Sequence, residues 1–125
     1  MTENELSRLI VNICFDIHQR YGPGLYESVC EELFCYEWAK LSIPFFRQHP
    51  IALIHEKLKL EIGFRADVII DQKVILEFKS IDAIAAIHYK QLQTYLKLSG
   101  LKLGMLINFN VPLIKNGIHR VVNKL

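Results

Sequence analysis

The stretch Arg65-Ala66-Asp67-Val68-Ile69-Ile70-Asp71-Gln72-Lys73-Val74-Ile75-Leu76-Glu77-Phe78-Lys79 reads as two strands joined by a short polar turn. Apolar runs of three residues flank the turn, a texture that suits interior strands better than an exposed ribbon. Reflecting the chain about Gln72 sets Asp67 opposite Glu77 and Arg65 opposite Lys79. Strand side chains alternate between faces. Arg65, Asp67, Glu77 and Lys79 then share one face, and Ala66, Val68, Leu76 and Phe78 share the other. A slip of two residues would still keep the four charges together.

Two carboxylates directly across a ladder repel each other. In a partly buried site one of them is driven up in pKa unless a cation lies between them. A divalent ion removes the conflict, because Mg²⁺ takes one or two carboxylates and completes its shell with water and phosphate oxygens. Lys79 would stand beside such an ion, where it could hold an attacking water or stabilise charge at phosphorus. The competing reading is a solvated hairpin face with two cross-strand ion pairs. Pattern alone leaves both open.

Upstream of the hairpin the periodicity is helical. Thr2 and Glu5 fit a capping box, and Leu6, Leu9, Ile10, Ile13, Cys14 and Ile17 follow at helical spacing, so a first helix runs to about Arg20. Tyr21-Gly22-Pro23-Gly24 stops it. A second helix extends to about Lys40, with Val29, Leu33, Phe34 and Trp38 toward the core. Phe45–Ile54 reads as a strand that Pro50 confines to an edge or a bulge. Leu58–Ile70 reads as the strand that enters the hairpin.

Downstream, Asp82 to Ser99 reads as a helix with Asp82 as N-cap and Gly100 as its stop. Leu103–Phe109 is a strand, Asn116-Gly117 signals a hairpin turn, and Ile118–Val122 is the last strand. The order is ααβββαββ. It predicts an α/β (α+β) fold with a mixed sheet of about five strands flanked by helices, because the third helix separates two β segments and requires a crossover.

The 125 residues predict a single domain, residues 1–125, able to bury a core without disulfides. At 51% hydrophobic and 22% charged, the chain is neither disordered nor a coiled coil. No apolar run is long enough to span a membrane, and the acidic N-terminus is no signal peptide. A cytoplasmic location is expected. Cys14, Cys30 and Cys35 form an odd set without a CxxC pair, which predicts free buried thiols in a reducing compartment and no zinc site. The net charge of +2 hides an asymmetry. Residues 1–62 hold six Lys/Arg against nine Asp/Glu, and residues 63–125 hold nine against four. A polyanion would meet the second part, although ordinary solvated lysines explain the same count.

Asp67, nine intervening residues, then Glu77-Phe78-Lys79 resembles the PD-(D/E)XK nuclease signature, with Ala66 where Pro is common. Gln91-Leu92-Gln93-Thr94-Tyr95 resembles the QxxxY element of recombination exonucleases. Gly24-Leu25-Tyr26-Glu27 resembles the start of the GxxExxY family of small prokaryotic proteins in the same superfamily. Gly104–Asn110 and Gly117–Arg120 are similar to that family's tail. Cys30 stands where the family has Tyr.

The resemblance implies a restriction-endonuclease-like core and a Mg²⁺- or Mn²⁺-dependent nuclease acting on nucleic acid, expected to be DNA. It implies Asp67, Glu77 and the backbone carbonyl of Phe78 as metal ligands, and Lys79 as the catalytic ammonium. Glu27 would complete the metal site directly or through water, although three residues after Gly24 it would serve equally as a helix cap. Gln91 and Tyr95 would hold a phosphate or orient Lys79. His88, three residues before Gln91, would face the same cleft or be structural. Arg65 would pair with a carboxylate or with substrate phosphate, and His119 and Arg120 are further phosphate contacts or an ordinary strand end. The alternative is a non-catalytic nucleic-acid-binding or assembly subunit that retains the nuclease fold. Such a chain could act as a homodimer or within a larger complex, a possibility that the high apolar content also raises.

Overall fold

A computed structural model describes residues 1–61 and 63–125. Helix α1 (Glu3–Tyr21) opens with the expected capping box: the Glu5 backbone N–H donates to Thr2 Oγ1 at 3.1 Å, and the Thr2 N–H to Glu5 Oε1 at 2.9 Å. Leu6, Ile10, Cys14 and Ile17 form its buried stripe. Helix α2 (Glu27–Ala39) buries Cys30, Phe34, Cys35 and Trp38, while Val29 is exposed and Leu33 only half-buried. The core-facing stripe of α2 is thus rotated from the expected one, with Cys30 and Cys35 buried in place of Val29 and Leu33. The Phe34 ring stacks on Trp38 at 5.7 Å and tilts against Phe78 at 5.4 Å, which fastens α2 to the sheet.

The β region contains more strands than expected. In place of one strand over 45–54 there are β1 (Phe45–Pro50) and β2 (Leu53–His55). In place of one strand over 58–70 there are β3 (Leu58–Leu60) and β4 (Arg65–Ile70). Ile62, inside that expected strand, lies outside the described residues. Pro50 ends β1, and Gly63 takes a left-handed φ of 89° just before β4. Among the described residues β2 and β3 pair only with each other.

The main sheet has five strands in the order β1-β4-β5-β6-β7, with β5 (Val74–Lys79), β6 (Leu103–Asn108) and β7 (Ile118–Val122). β1 is an edge, as its proline requires. β5 and β6 are parallel, joined by helix α3 (Ala86–Ser99), and the other pairs are antiparallel. The sheet is mixed, five-stranded and flanked by helices, as expected.

Helix α3 begins four residues after Asp82, with Ala85 as N-cap, so Asp82 does not cap it. Gly100 ends it in the left-handed region at φ 76°. The β6–β7 connection is not the tight Asn116-Gly117 hairpin expected. It runs through a 3-10 turn over Ile114–Asn116. Gly117 is needed there because a Cβ would stand 2.1 Å from the Asn108 carbonyl oxygen. One core lies between α1, α2 and the sheet, and a second between α3 and the opposite face. The molecule's buried polar side-chain atoms all have partners among the described residues.

Candidate metal centre

The β4–β5 ladder pairs Val68 with Leu76, Ile69 with Ile75 and Ile70 with Val74, which is the register obtained by reflection about Gln72. Asp71 and Gln72 both have positive φ, 51° and 53°, and the Lys73 N–H donates to the Ile70 carbonyl at 2.8 Å. This is a primed turn, whose twist suits a hairpin. Beyond Val68 and Leu76 the ladder changes character. The Asp67 N–H donates to Glu77 Oε2 at 2.9 Å, and the Phe78 N–H donates to Asp67 Oδ2 at 2.9 Å. The carboxylates replace the backbone acceptors, so each acid is fixed by the strand of the other. Arg65 does not face Lys79 across a ladder; it pairs with Pro50 on β1. Ala66 also departs from the expected faces, packing with Ile69 and Ile75 against α3 rather than with Val68 and Phe78.

The electrostatics follow from this placement. Glu77 is only 5% exposed. Burial, and then the charge of Asp67, push its carboxyl up to about 8. Burial also raises Asp67, and the Phe78 N–H bond works against that rise. Lys79 is close enough for its charge to oppose both shifts. Neither acid forms an ion pair among the described residues, so the two cross-strand ion pairs are not formed. A buried carboxyl beside a half-buried one, neither held in an ion pair among the described residues, is a donor set that suits a hard divalent ion. Among the described residues no group of three or more His, Cys, Asp or Glu side chains is assembled around one point, so further ligands would have to be backbone, water or phosphate oxygens.

Glu27 is the first residue of α2, and its Oε2 accepts from the Ser80 N–H at 3.0 Å. The Ser80 hydroxyl donates to the Leu25 carbonyl at 2.7 Å. The start of α2 is thereby tied to the residue following Lys79. On the other side, Asn108 accepts from the Ile81 N–H at 3.1 Å and donates to the Ile81 carbonyl at 3.0 Å. Lys79 therefore leaves β5 into a segment held from both flanks.

On α3, Gln91 donates to the Tyr95 hydroxyl at 3.1 Å. Tyr95 is 3% exposed, and burial followed by the charge of Glu77 raises its hydroxyl. This brings the Gln91–Tyr95 pair near the acids, with Gln91 at the surface. His88 accepts from the Ala85 N–H at 2.9 Å and so closes the start of α3. His119 bonds the Tyr89 hydroxyl at 3.0 Å, and Arg120 donates to Asn4 at 2.7 Å.

Sequence reasoning did not single out three residues beside Asp67. A cleft of about 330 Å³ is lined by Glu27, Ser28, Glu31, Glu32, Arg47, Gln48 and Asp67. Glu31 is buried and accepts from Arg47 at 2.8 Å and from Gln48 at 2.7 Å. The sequence signal for Glu31 was its spacing of four from Glu27, which sets both on one helix face. Arg47 and Gln48 carried none.

A sequence model of the PD-(D/E)XK nuclease superfamily matches residues 4–121. No curated protein and no solved structure is significantly similar to the chain. The match spans both acids, Lys79 and the elements that hold them, and the chain belongs to the PD-(D/E)XK nuclease superfamily.

Proposed function

We propose that the protein is a metal-dependent phosphodiesterase acting on nucleic acid, with DNA as the expected substrate. The observation that carries this reading is the interlocked pair of half-buried Asp67 and buried Glu77 beside Lys79 in a chain of a nuclease superfamily. Superfamily nucleases generally use divalent metals. The residues fit Mg²⁺ or Mn²⁺, which Asp67, Glu77 and the Phe78 carbonyl would hold, with Glu27 acting through water rather than as a direct ligand. Such an ion supplies Lewis acidity and an activated water.

The remaining roles belong to the chain. Asp67 and Glu77 fix the ion and are themselves fixed by backbone donors. Lys79 holds the attacking water and stabilises charge on the phosphoryl oxygens. Gln91 and Tyr95 orient Lys79 or a phosphate, and Arg65 and His88 contact the substrate backbone. Within the superfamily we place the chain in the GxxExxY group, on Gly24, Glu27 and the two C-terminal motifs. Cys30, which replaces that group's Tyr, is wholly buried between α1 and α2, so the change alters helix packing rather than the cleft.

The test is cleavage of single- and double-stranded DNA with and without Mg²⁺ or Mn²⁺. Lys79→Ala is expected to lower the rate about 10²–10³-fold. Cleavage that survives both chelation and Lys79→Ala would overturn the assignment.

A further inference from the structure

The cleft beside Asp67 holds a cation that the chemistry above does not use. Its lining includes four acids, and Arg47 is the one cation there among the described residues. An acidic cleft repels a polyanion, so a strand laid over Asp67 needs a compensating donor on this side. Arg47 is prepared for that role. Its Nε and Nη2 donate to Glu31 Oε2 at 3.2 and 2.8 Å, and Nη2 also donates to Glu32 Oε1 at 2.9 Å. Nη1 has no partner among the described residues, and the side chain is 36% exposed.

The neighbouring backbone is strained as well. Gln48 takes a left-handed φ of 48° in the middle of β1, where a non-glycine residue is costly. Ladder pairs form on either side, Arg47 with Val68 and His49 with Ala66, but not between Gln48 and Asp67. Gln48 donates to the second oxygen of Glu31. Glu31 is thus saturated and serves as a bracket for Arg47 and Gln48.

We propose that Arg47 is a phosphate-binding residue whose free Nη1 edge takes a backbone phosphate adjoining the scissile one. The inference rests on the nucleic-acid reading above. It gives that reading a direction. Arg47 lies on the β1 side of Asp67 and Lys79 on the β5 side, so the bound strand crosses the sheet edge with a cationic contact on each flank. A fixed guanidinium is suited to phosphate because its planar donors need no further ordering.

The test is binding of short single-stranded and duplex DNA, in Mg²⁺ and over a salt series, by Lys79→Ala protein in which turnover is suppressed. Adding Arg47→Gln should weaken binding and shallow the slope of log K against log salt by about 0.7–0.9, the loss of one phosphate contact. Arg47→Lys should retain the slope. Because Arg47→Gln strands the buried Glu31, Glu31→Gln with Arg47→Gln removes both charges together and should show the same shallower slope. A folded double variant with an unchanged slope would overturn the role of Arg47. Failure of both the wild-type protein in chelator and the Lys79→Ala protein in Mg²⁺ to bind either DNA would overturn the nucleic-acid reading, and this inference with it.

Discussion

With Asp67 beside it and no cation within ion-pair distance among the described residues, burial pushes the Glu77 carboxyl up to about 8. In the unfolded chain the same group titrates near its ordinary 4.5. The folded state therefore binds the extra proton between these values, and stability falls as pH rises through that window. The thermal midpoint in chelator should drop from pH 5 to pH 8, corresponding to a few kcal/mol on the order of the linkage. Glu77→Gln should flatten the profile. Added Mn²⁺ should restore stability most at pH 8, where the carboxyl must otherwise charge alone. A wild-type profile that does not fall would contradict the placement of the two acids. This opposition of Asp67 and Glu77 was legible in the sequence because period-two alternation and a centred turn fix a register. The Glu31–Arg47–Gln48 cluster was not legible, because its bonds join residues 16 and 17 apart across two elements that pack only in the folded chain.

The elements around the site carry a second dependence. Asn108 ends β6 and clamps Ile81, two residues beyond Lys79, while its own carbonyl lies against Gly117. Gly117→Ala should displace Asn108 and cost about 1–3 kcal/mol by overpacking. It should also lower turnover more than the less crowded Gly104→Ala, whose added methyl meets only the Leu92 side chain at 2.8 Å. Thermal melts and rates on the same preparations check both effects. Helix α1, its capping box and the stop at Gly100 were plain from local signals. The start of α3 was misplaced at Asp82 because Ser80 and Ile81, just before it, are held by long-range bonds to Glu27, Leu25 and Asn108, which no local pattern announces. The splitting of two expected strands into four likewise depended on backbone turns at Pro50 and Gly63.

At the scale of the molecule, the division into an acidic first half and a basic second half does not survive folding. The acids of α2 line the same cleft as Asp67, so both halves contribute to one site. The core between α1, α2 and the sheet encloses the three cysteines completely enough that burial pushes the Cys30 thiol up to about 11 and Cys35 up to about 12. A thiol reagent should therefore label none of them in the native protein and all three in denaturant. Fast native labelling of Cys14 or Cys30 would show that α1 and α2 are not closed over the sheet. The chain also contains a single tryptophan. Trp38 stacks on Phe34, Phe34 packs on Phe78, and the Phe78 amide holds Asp67. That aromatic chain makes the protein its own fluorimeter: the emission of one indole reports the closing of the core under α1 and α2, and a shift on adding a divalent ion would report the acids through Phe34 and Phe78.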